Sequence, residues 1–200
     1  MLSVAVQAGG QSQRMGENKA LKLFLGRPLI ERVLSRVRPI ADELVLTTNE
    51  PNAYEFIEVR KIADLRPGLG PLGGLHTALR SAHYETVAVV ACDMPFASAP
   101  LLAAAALILQ QEDADVVIAE SPEGFEPMHA AYRRLTCVPA IEAAIGAGQR
   151  RVISWFPAVR VRRLTPEELG QHDPEGLAFW NVNTPEEFLR AEELARAMGG

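Results

Sequence analysis

The chain predicts a doubly wound α/β fold, in which a mainly parallel sheet is covered by helices on both faces to make three layers. Two observations carry this. Short apolar runs recur along the sequence and helical periodicity fills most gaps between them, as repeated strand, crossover, strand units require. The runs are apolar nearly throughout rather than alternating, which is how strands buried on both faces read. Right-handed crossovers then wind the chain about its first strand.

Ser3 to Gln7 is the first strand, an apolar run that ends at Gly9-Gly10. Pro28 stands at a helix start, and Leu29, Ile30, Val33, Leu34 and Val37 recur at helical spacing until Pro39 stops the run. That stripe packs on a sheet. Glu43 to Thr47, Thr86 to Val90 and Asp115 to Ala119 are further buried strands, and Pro71 begins a helix with Leu75, Ala78, Leu79 and Ala82 on one face. The second half is less regular, with a Pro/Gly-rich hinge from Ser121 to Pro127 and a basic patch from Arg150 to Arg163. Later strands are expected to extend the same sheet, with room for an antiparallel member. Thr184-Pro185-Glu186-Glu187 has a threonine N-cap, proline at the first helical position and glutamate at the third. This capping box leads into a last helix carrying Phe188, Leu189 and Leu194. No repeat or composition shift divides the chain, so residues 1–200 are read as a single domain.

Two hundred residues with 48% hydrophobic content can bury a sizeable core without staples. Lys and Arg number 20 against 25 Asp and Glu, a net charge of −5, so no overall basic field exists to hold nucleic acid or an anionic membrane. Cys92 and Cys137 fall inside apolar runs with no C-x-x-C pair, which reads as buried thiols rather than a zinc site or a disulfide. The N-terminus lacks a charged segment before its apolar run, and no stretch approaches the roughly 20 apolar residues of a membrane span. The expected location is the cytoplasm.

The segment from Val4 to Lys19 carries the most chemistry. Gly9-Gly10 lets the backbone turn sharply and approach a ligand, and backbone amides in such a turn suit phosphate oxygens. Arg14 offers a planar fork and Lys19 a point charge, which together offset the charge that grows as a triphosphate loses pyrophosphate. The pattern is neither a Walker loop, since no Ser or Thr follows Lys19, nor a dinucleotide fingerprint. Its bland alternative is a surface turn with two solvated cations.

Asp93 follows the strand Val87 to Ala91 and precedes Pro95. A single carboxylate there can hold Mg²⁺, which takes one or two protein carboxylates and fills its other positions with water and phosphate oxygens; otherwise it is a turn residue. In a doubly wound sheet Gly10 and Asp93 both lie beyond the carboxyl ends of the strands, where ligands bind. Asp64 ends a short apolar stretch and is suited to ribose hydroxyls or to assisting the metal; otherwise it is a turn carboxylate. The glycines from Gly68 to Gly74 let a planar base lie close to backbone or make an ordinary loop. Asn181 and Asn183, just before the last capping box, place two amides toward a common cleft or form a turn. Their distance in sequence from the first loop assigns them to a second substrate. His76, His83, His129 and His172 show no ligand spacing and read as structural or solvated. Ser12 has no nearby base to make it a nucleophile.

Taken together, Ala8-Gly9-Gly10-x-Ser12-x-Arg14-Met15-Gly16-x-x-Lys19, Gly70-Pro71-Leu72-Gly73-Gly74, Cys92-Asp93-Met94-Pro95-Phe96 and Asn181-x-Asn183-Thr184-Pro185-Glu186-Glu187 closely resemble the bacterial molybdenum cofactor guanylyltransferases, nearly end to end. The resemblance implies a Rossmann-like nucleotidyltransferase of the nucleotide-diphospho-sugar transferase type. Such an enzyme joins GMP from GTP to molybdenum-molybdopterin, forms the molybdopterin guanine dinucleotide cofactor and releases pyrophosphate. The paired glycine and the Cys-Asp-Met-Pro-Phe run separate it from related cytidylyltransferases, whose loops usually read Ala-Ala-Gly.

By the same resemblance Gln7, Ala8 and Gly9 contact GTP, Lys19 its phosphates, Asp64 the nucleotide, Asp93 both Mg²⁺ and nucleotide, and Asn49 the guanine. Arg14, Lys19 and Asp93 would stabilise charge as the terminal phosphate of molybdopterin attacks the α-phosphorus. Gln7 stands where the family usually has Leu, which bears on base selectivity if its side chain reaches the base, and Asn18 stands where many members have Asp. The expected setting is a monomer that meets other cofactor-biosynthesis proteins transiently. Transfer of CMP to the same cofactor, transfer of a nucleotide to a sugar phosphate, and a silent nucleotide sensor are the alternatives; the joint presence of Lys19 and Asp93 argues against the sensor.

Overall fold

The computed structural model describes residues 1–9 and 18–199. The first apolar run is β1 (Leu2–Gln7), buried along its whole length. A small hairpin follows, β2 (Leu23–Phe24) and β3 (Arg27–Pro28), turning through Leu25 and Gly26 at φ 51° and 82°. Two-residue hairpin turns of this hand need positive φ at both positions. Gly26 accepts that freely, whereas Leu25 is held there at a cost, its N–H anchored 2.8 Å from Glu192 Oε1. Pro28 closes the hairpin as the residue before α1 (Leu29–Val37), whose buried stripe is the one its spacing predicts.

The sheet grows outward from β1 in both directions. On one side lie β4 (Glu43–Thr47) and β5 (Arg60–Ile62), both parallel to their neighbours. After α2 (Pro71–Ser81) the chain returns to pair β6 (Thr86–Ala91) with the other edge of β1, again parallel. Then α3 (Ala99–Gln111) leads to β7 (Val116–Ser121) and β8 (Gly124–Arg133). The final order is β5-β4-β1-β6-β8-β7-β9, with β9 (Val161–Arg163) at the edge beyond α4 (Arg134–Gly146). Strand β8 runs antiparallel to both β6 and β7. Two helices close the chain, α5 (Pro166–His172) and α6 (Pro185–Ala197).

The hinge expected from Ser121 to Pro127 is instead a tight turn and the first half of a strand. Ser121 pairs with Gly124, which accepts φ 119° after Pro122-Glu123. Pro127 is tolerated inside β8 because the register shifts there, between Ile118 and Glu120 on the partner strand, and a bulge spares the ladder N–H that proline lacks.

Period-two alternation sorts the strand residues between two cores. Val4 and Val6 pack with Ile30, Val33, Leu101 and Leu102 under α1 and α3. Ala5 packs with Leu72, Leu75, Ile141 and Trp155 under α2 and α4. Each fully buried large side chain contributes roughly 1.5–3 kcal/mol. A third cluster is smaller and matters more for the site. Phe24 and Leu29 from the hairpin region meet Phe188 and Ala191 of α6, Val182 and Phe96. It fastens the last helix over the carboxyl ends of the central strands.

Candidate active site

Because β1 and β6 are parallel neighbours with Gln7 opposite Ala91, their carboxyl ends lie side by side, and Gln7 O accepts from Cys92 N at 3.0 Å. Asp93 therefore stands beside Ala8 and Gly9. The chain comes back to the same place near its end, where Val182 N donates to Asp93 O at 3.0 Å.

Lys19 ties the Asp93 loop to this returning segment. Its Nζ donates to Asp93 Oδ2 at 3.2 Å, to the Val182 carbonyl at 3.2 Å and to Asn183 Oδ1 at 3.0 Å. An ammonium has three donors, and all three find acceptors here. The Lys19 and Asp93 side chains are 14% and 20% exposed, a pair at the wall of a cleft rather than on open surface.

The supports of Lys19 are local. Asn18 Oδ1 accepts from Ala20 N at 3.2 Å and caps the single 3₁₀ turn Lys19–Leu21. Asn18 Nδ2 donates to Tyr54 Oη at 2.9 Å and to Glu50 Oε2 at 3.3 Å. An amide suits this position because a carboxylate would face Glu50 as a like charge. Burial pushes the Tyr54 phenol up to about 12, so it stays a neutral partner.

The predicted acceptor-side asparagines behave differently from each other. Asn183 joins Lys19, and its own N–H donates to Glu187 Oε2 at 2.6 Å. Glu187 also closes the capping box with Thr184, so the predicted cap positions the site as well as the helix. Asn181 instead turns its Nδ2 back onto the Phe179 carbonyl at 3.1 Å. Only Asn183 bonds Lys19, so distance in sequence from Lys19 is not distance in space.

Asn49 and Asp64 make a closed pair past the ends of β4 and β5. Asn49 Nδ2 donates to Asp64 Oδ2 at 2.8 Å and Asp64 N donates to Asn49 Oδ1 at 2.9 Å. Gln7 is buried, its Nε2 donating to Pro71 O at 3.3 Å, while its Oε1 has no partner among the described residues. Gly74 makes room for it, since a Cβ there would sit 1.4 Å from Gln7 Nε2. Gly10 and Arg14 lie outside the described residues.

The family model for the MobA-like NTP transferase domain matches residues 4–162. The chain belongs to the MobA-like NTP transferase family. Two relatives place it more finely, both 36% identical. One is the molybdenum cofactor guanylyltransferase of Desulfosudis oleivorans, over 96% of this chain and 95% of the relative. The other is the probable molybdenum cofactor guanylyltransferase of Carboxydothermus hydrogenoformans, over 94% and 93%. Among solved structures, molybdopterin-guanine dinucleotide biosynthesis protein A of Archaeoglobus fulgidus superposes with TM-score 0.86 at 32% identity, over 98% of this chain and all of that one. A 2-C-methyl-D-erythritol 4-phosphate cytidylyltransferase from Thermus thermophilus, TM-score 0.70 at 18% identity over 96% and 98%, shares the fold.

In this MobA-like domain the metal question comes down to one carboxylate. Among the described residues no group of three or more His, Cys, Asp or Glu could cage a metal ion. Mg²⁺ needs no such cage, because substrate phosphates and water complete its shell. Asp93, partly exposed at the strand end, fits that donor set. Its neighbour Cys92 is chemically quiet, as burial and the Asp93 charge push its thiol well up.

Sequence reasoning missed several supports of the loop after β6. His129 on β8 is buried, and its Nε2 accepts from Ser98 N at 3.0 Å. Burial holds its pKa down at about 4. Ser98 in turn caps α3 through Leu101 N and reaches the His172 carbonyl at 2.8 Å. A lone histidine in a strand carries no local signal of this, and only the pairing of Val90 with His129 brings it there.

Proposed function

We propose that this protein transfers GMP from GTP to molybdenum-molybdopterin, releasing pyrophosphate and forming the molybdopterin guanine dinucleotide cofactor. One observation carries the reading: Lys19, Asp93 and Asn183 converge at the carboxyl ends of β1 and β6. This is where an open α/β sheet binds its ligand. The names of the relatives supply the substrates.

An oxygen of the molybdopterin terminal phosphate attacks the α-phosphorus of GTP. The new P–O bond forms as the bond to the bridging oxygen breaks, and pyrophosphate leaves with the electron pair. No general base is needed, since the attacking phosphate is anionic at neutral pH. Lys19 exchanges protein acceptors for triphosphate oxygens and stabilises the leaving group, with Arg14 as a second cation. Asp93 would hold Mg²⁺, which supplies Lewis-acid stabilisation of phosphate charge. Gln7, Ala8 and Gly9 take the nucleotide, and the Asn49–Asp64 pair reads its base and ribose. Asn183 faces the acceptor, while Asn181 shapes the turn that presents it. Among the described residues no helix is long and apolar enough to cross a membrane, and a cytoplasmic monomer suits two small soluble substrates.

The test is pyrophosphate release from each NTP with and without molybdopterin. GTP with molybdopterin should be fastest. Equal or faster release from CTP would move the chain to CMP transfer and make Gln7 the first residue to exchange.

A further inference from the structure

Helix α1 turns Arg32 and Arg36 toward the loop that carries Asp93. Arg32 Nε donates to the Pro95 carbonyl at 2.9 Å. Arg36 Nε donates to the Ala97 carbonyl at 2.7 Å, and its Nη2 to the Phe96 carbonyl at 3.4 Å. Three consecutive carbonyls are thereby held by one helix face. The Arg32 guanidinium also lies 5.1 Å from the Phe24 ring centre and 5.8 Å from that of Phe96. Among the described residues neither arginine reaches a carboxylate within salt-bridge distance.

This arrangement is locally unfavourable. Like charges one turn apart on a helix repel, and burial lowers both pKa values, with Arg36 adding to the effect on Arg32. Arg32 is half-buried and Arg36 exposed, yet both heads bend onto the loop carbonyls instead of extending into water. The carboxylates whose field opposes the penalty at Arg36 are Asp173 and Glu175, on the segment that leads to Asn181 and Asn183. Conflicts of local preference with the fold gather where a site is held in shape.

We propose that Arg32 and Arg36 are positioning residues that fix the loop of residues 93–97, and through it the Asp93 carboxylate, for nucleotidyl transfer. This rests on the role given to Asp93 above. The two guanidiniums hold the loop from the α1 side, where their multiple donors span several carbonyls. On the other side Val182 N holds Asp93 O and His129 holds Ser98 N. Loop and carboxylate are therefore set before substrate arrives.

The experiment measures pyrophosphate release, Mg²⁺ half-saturation and melting for Arg32→Met and Arg36→Met, each alone and with Asp93→Asn. Methionine keeps the apolar stem and removes the donors. Each single variant should lower kcat about tenfold and raise the Mg²⁺ requirement, the size typical of lost outer-shell support. GTP binding without Mg²⁺ should stay within about twofold, and Arg32→Lys should restore part of the rate. Combined with Asp93→Asn, either variant should cost less than about twofold more. Unchanged kcat, or losses that multiply fully with Asp93→Asn, would overturn the positioning role while leaving Asp93 in place. Normal activity of Asp93→Asn alone would overturn both. If Arg36→Met does not fold, Arg36→Lys keeps the charge facing Asp173 and Glu175 but loses the planar fork that spans two carbonyls. It should show a smaller loss of kcat with a raised Mg²⁺ requirement, and an unchanged kcat and Mg²⁺ requirement would overturn the role of Arg36.

Discussion

Lys19 Nζ stands 3.2 Å from Asp93 Oδ2, across 74 residues of chain. Each neutralises the other at the cleft wall, and in the proposed reaction a triphosphate and its counter-charge would replace these partners. Lys19→Ala should depress kcat and not only raise KM for GTP, because the ammonium meets more charge on the leaving group than on bound GTP. Asp93→Asn should cost at least about a hundredfold in kcat, as loss of a transition-state stabiliser does. Steady-state pyrophosphate release decides both, and a Lys19→Ala protein with normal kcat would show uniform binding instead.

Asn183 and Asn181 should separate. Asn183→Ala removes one of the three acceptors that orient Lys19, so kcat should fall. Asn181→Ala loses a bond to the Phe179 carbonyl worth about 1 kcal/mol, which lowers the melting temperature by a few degrees and leaves kcat within about twofold. Equal kinetic damage from both variants would place Asn181 in contact with substrate.

How much of this was readable in advance depends on the range of each interaction. Strand β1 is buried throughout and β4, β6 and β7 over most of their length, so each shows as an apolar run, and α6 announces itself through Thr184 and Glu187. Strand β8 did not, because its first half is only partly buried and contains Pro127; β9 has three residues, two of them arginine. Lys19 and Asp93 stand out through nearby glycine and proline, which are local signals. The bond from Lys19 to Asn183 spans 164 residues, and no periodicity encodes it. Arg32 and Arg36 fall on the polar side of the α1 pattern, where an arginine that bonds a loop and one that only meets water look alike.

The Gly74 site predicts a sign change. Alanine in a helix normally gains about 1 kcal/mol over glycine. Here its Cβ would meet Gln7 Nε2 at 1.4 Å and Cδ at 2.5 Å, so the buried Gln7 side chain must leave Pro71 O. Overpacking of that kind costs roughly 1–3 kcal/mol. Gly74→Ala should therefore destabilise the natural chain, yet stabilise a Gln7→Ala protein. Denaturant titration of the four proteins measures the coupling.

His129 predicts how stability depends on pH. Its Nε2 accepts from Ser98 N, and a protonated imidazole cannot accept there. Burial, with the Arg36 charge nearby, lowers its folded pKa to about 4, whereas an unfolded histidine titrates near about 6.5. The folded state thus holds fewer protons between these values. Its contribution is complete above about pH 6.5 and is lost as pH falls toward 4, by at most roughly 3 kcal/mol. Carboxylates act in a lower window: Arg160 holds Asp115, and Arg162 holds Glu168, at about 2, so their contributions are lost only as pH falls from the usual carboxylate range toward 2. The interval from pH 6.5 down to 5 lies above the window of these two carboxylates, and a His129 variant separates this histidine from the chain's other titrating groups. His129→Gln keeps an acceptor for Ser98 N and does not titrate, so urea unfolding should show the natural chain losing more stability across that interval than the variant. Parallel curves would mean that the Ser98 bond is not governed by His129 protonation.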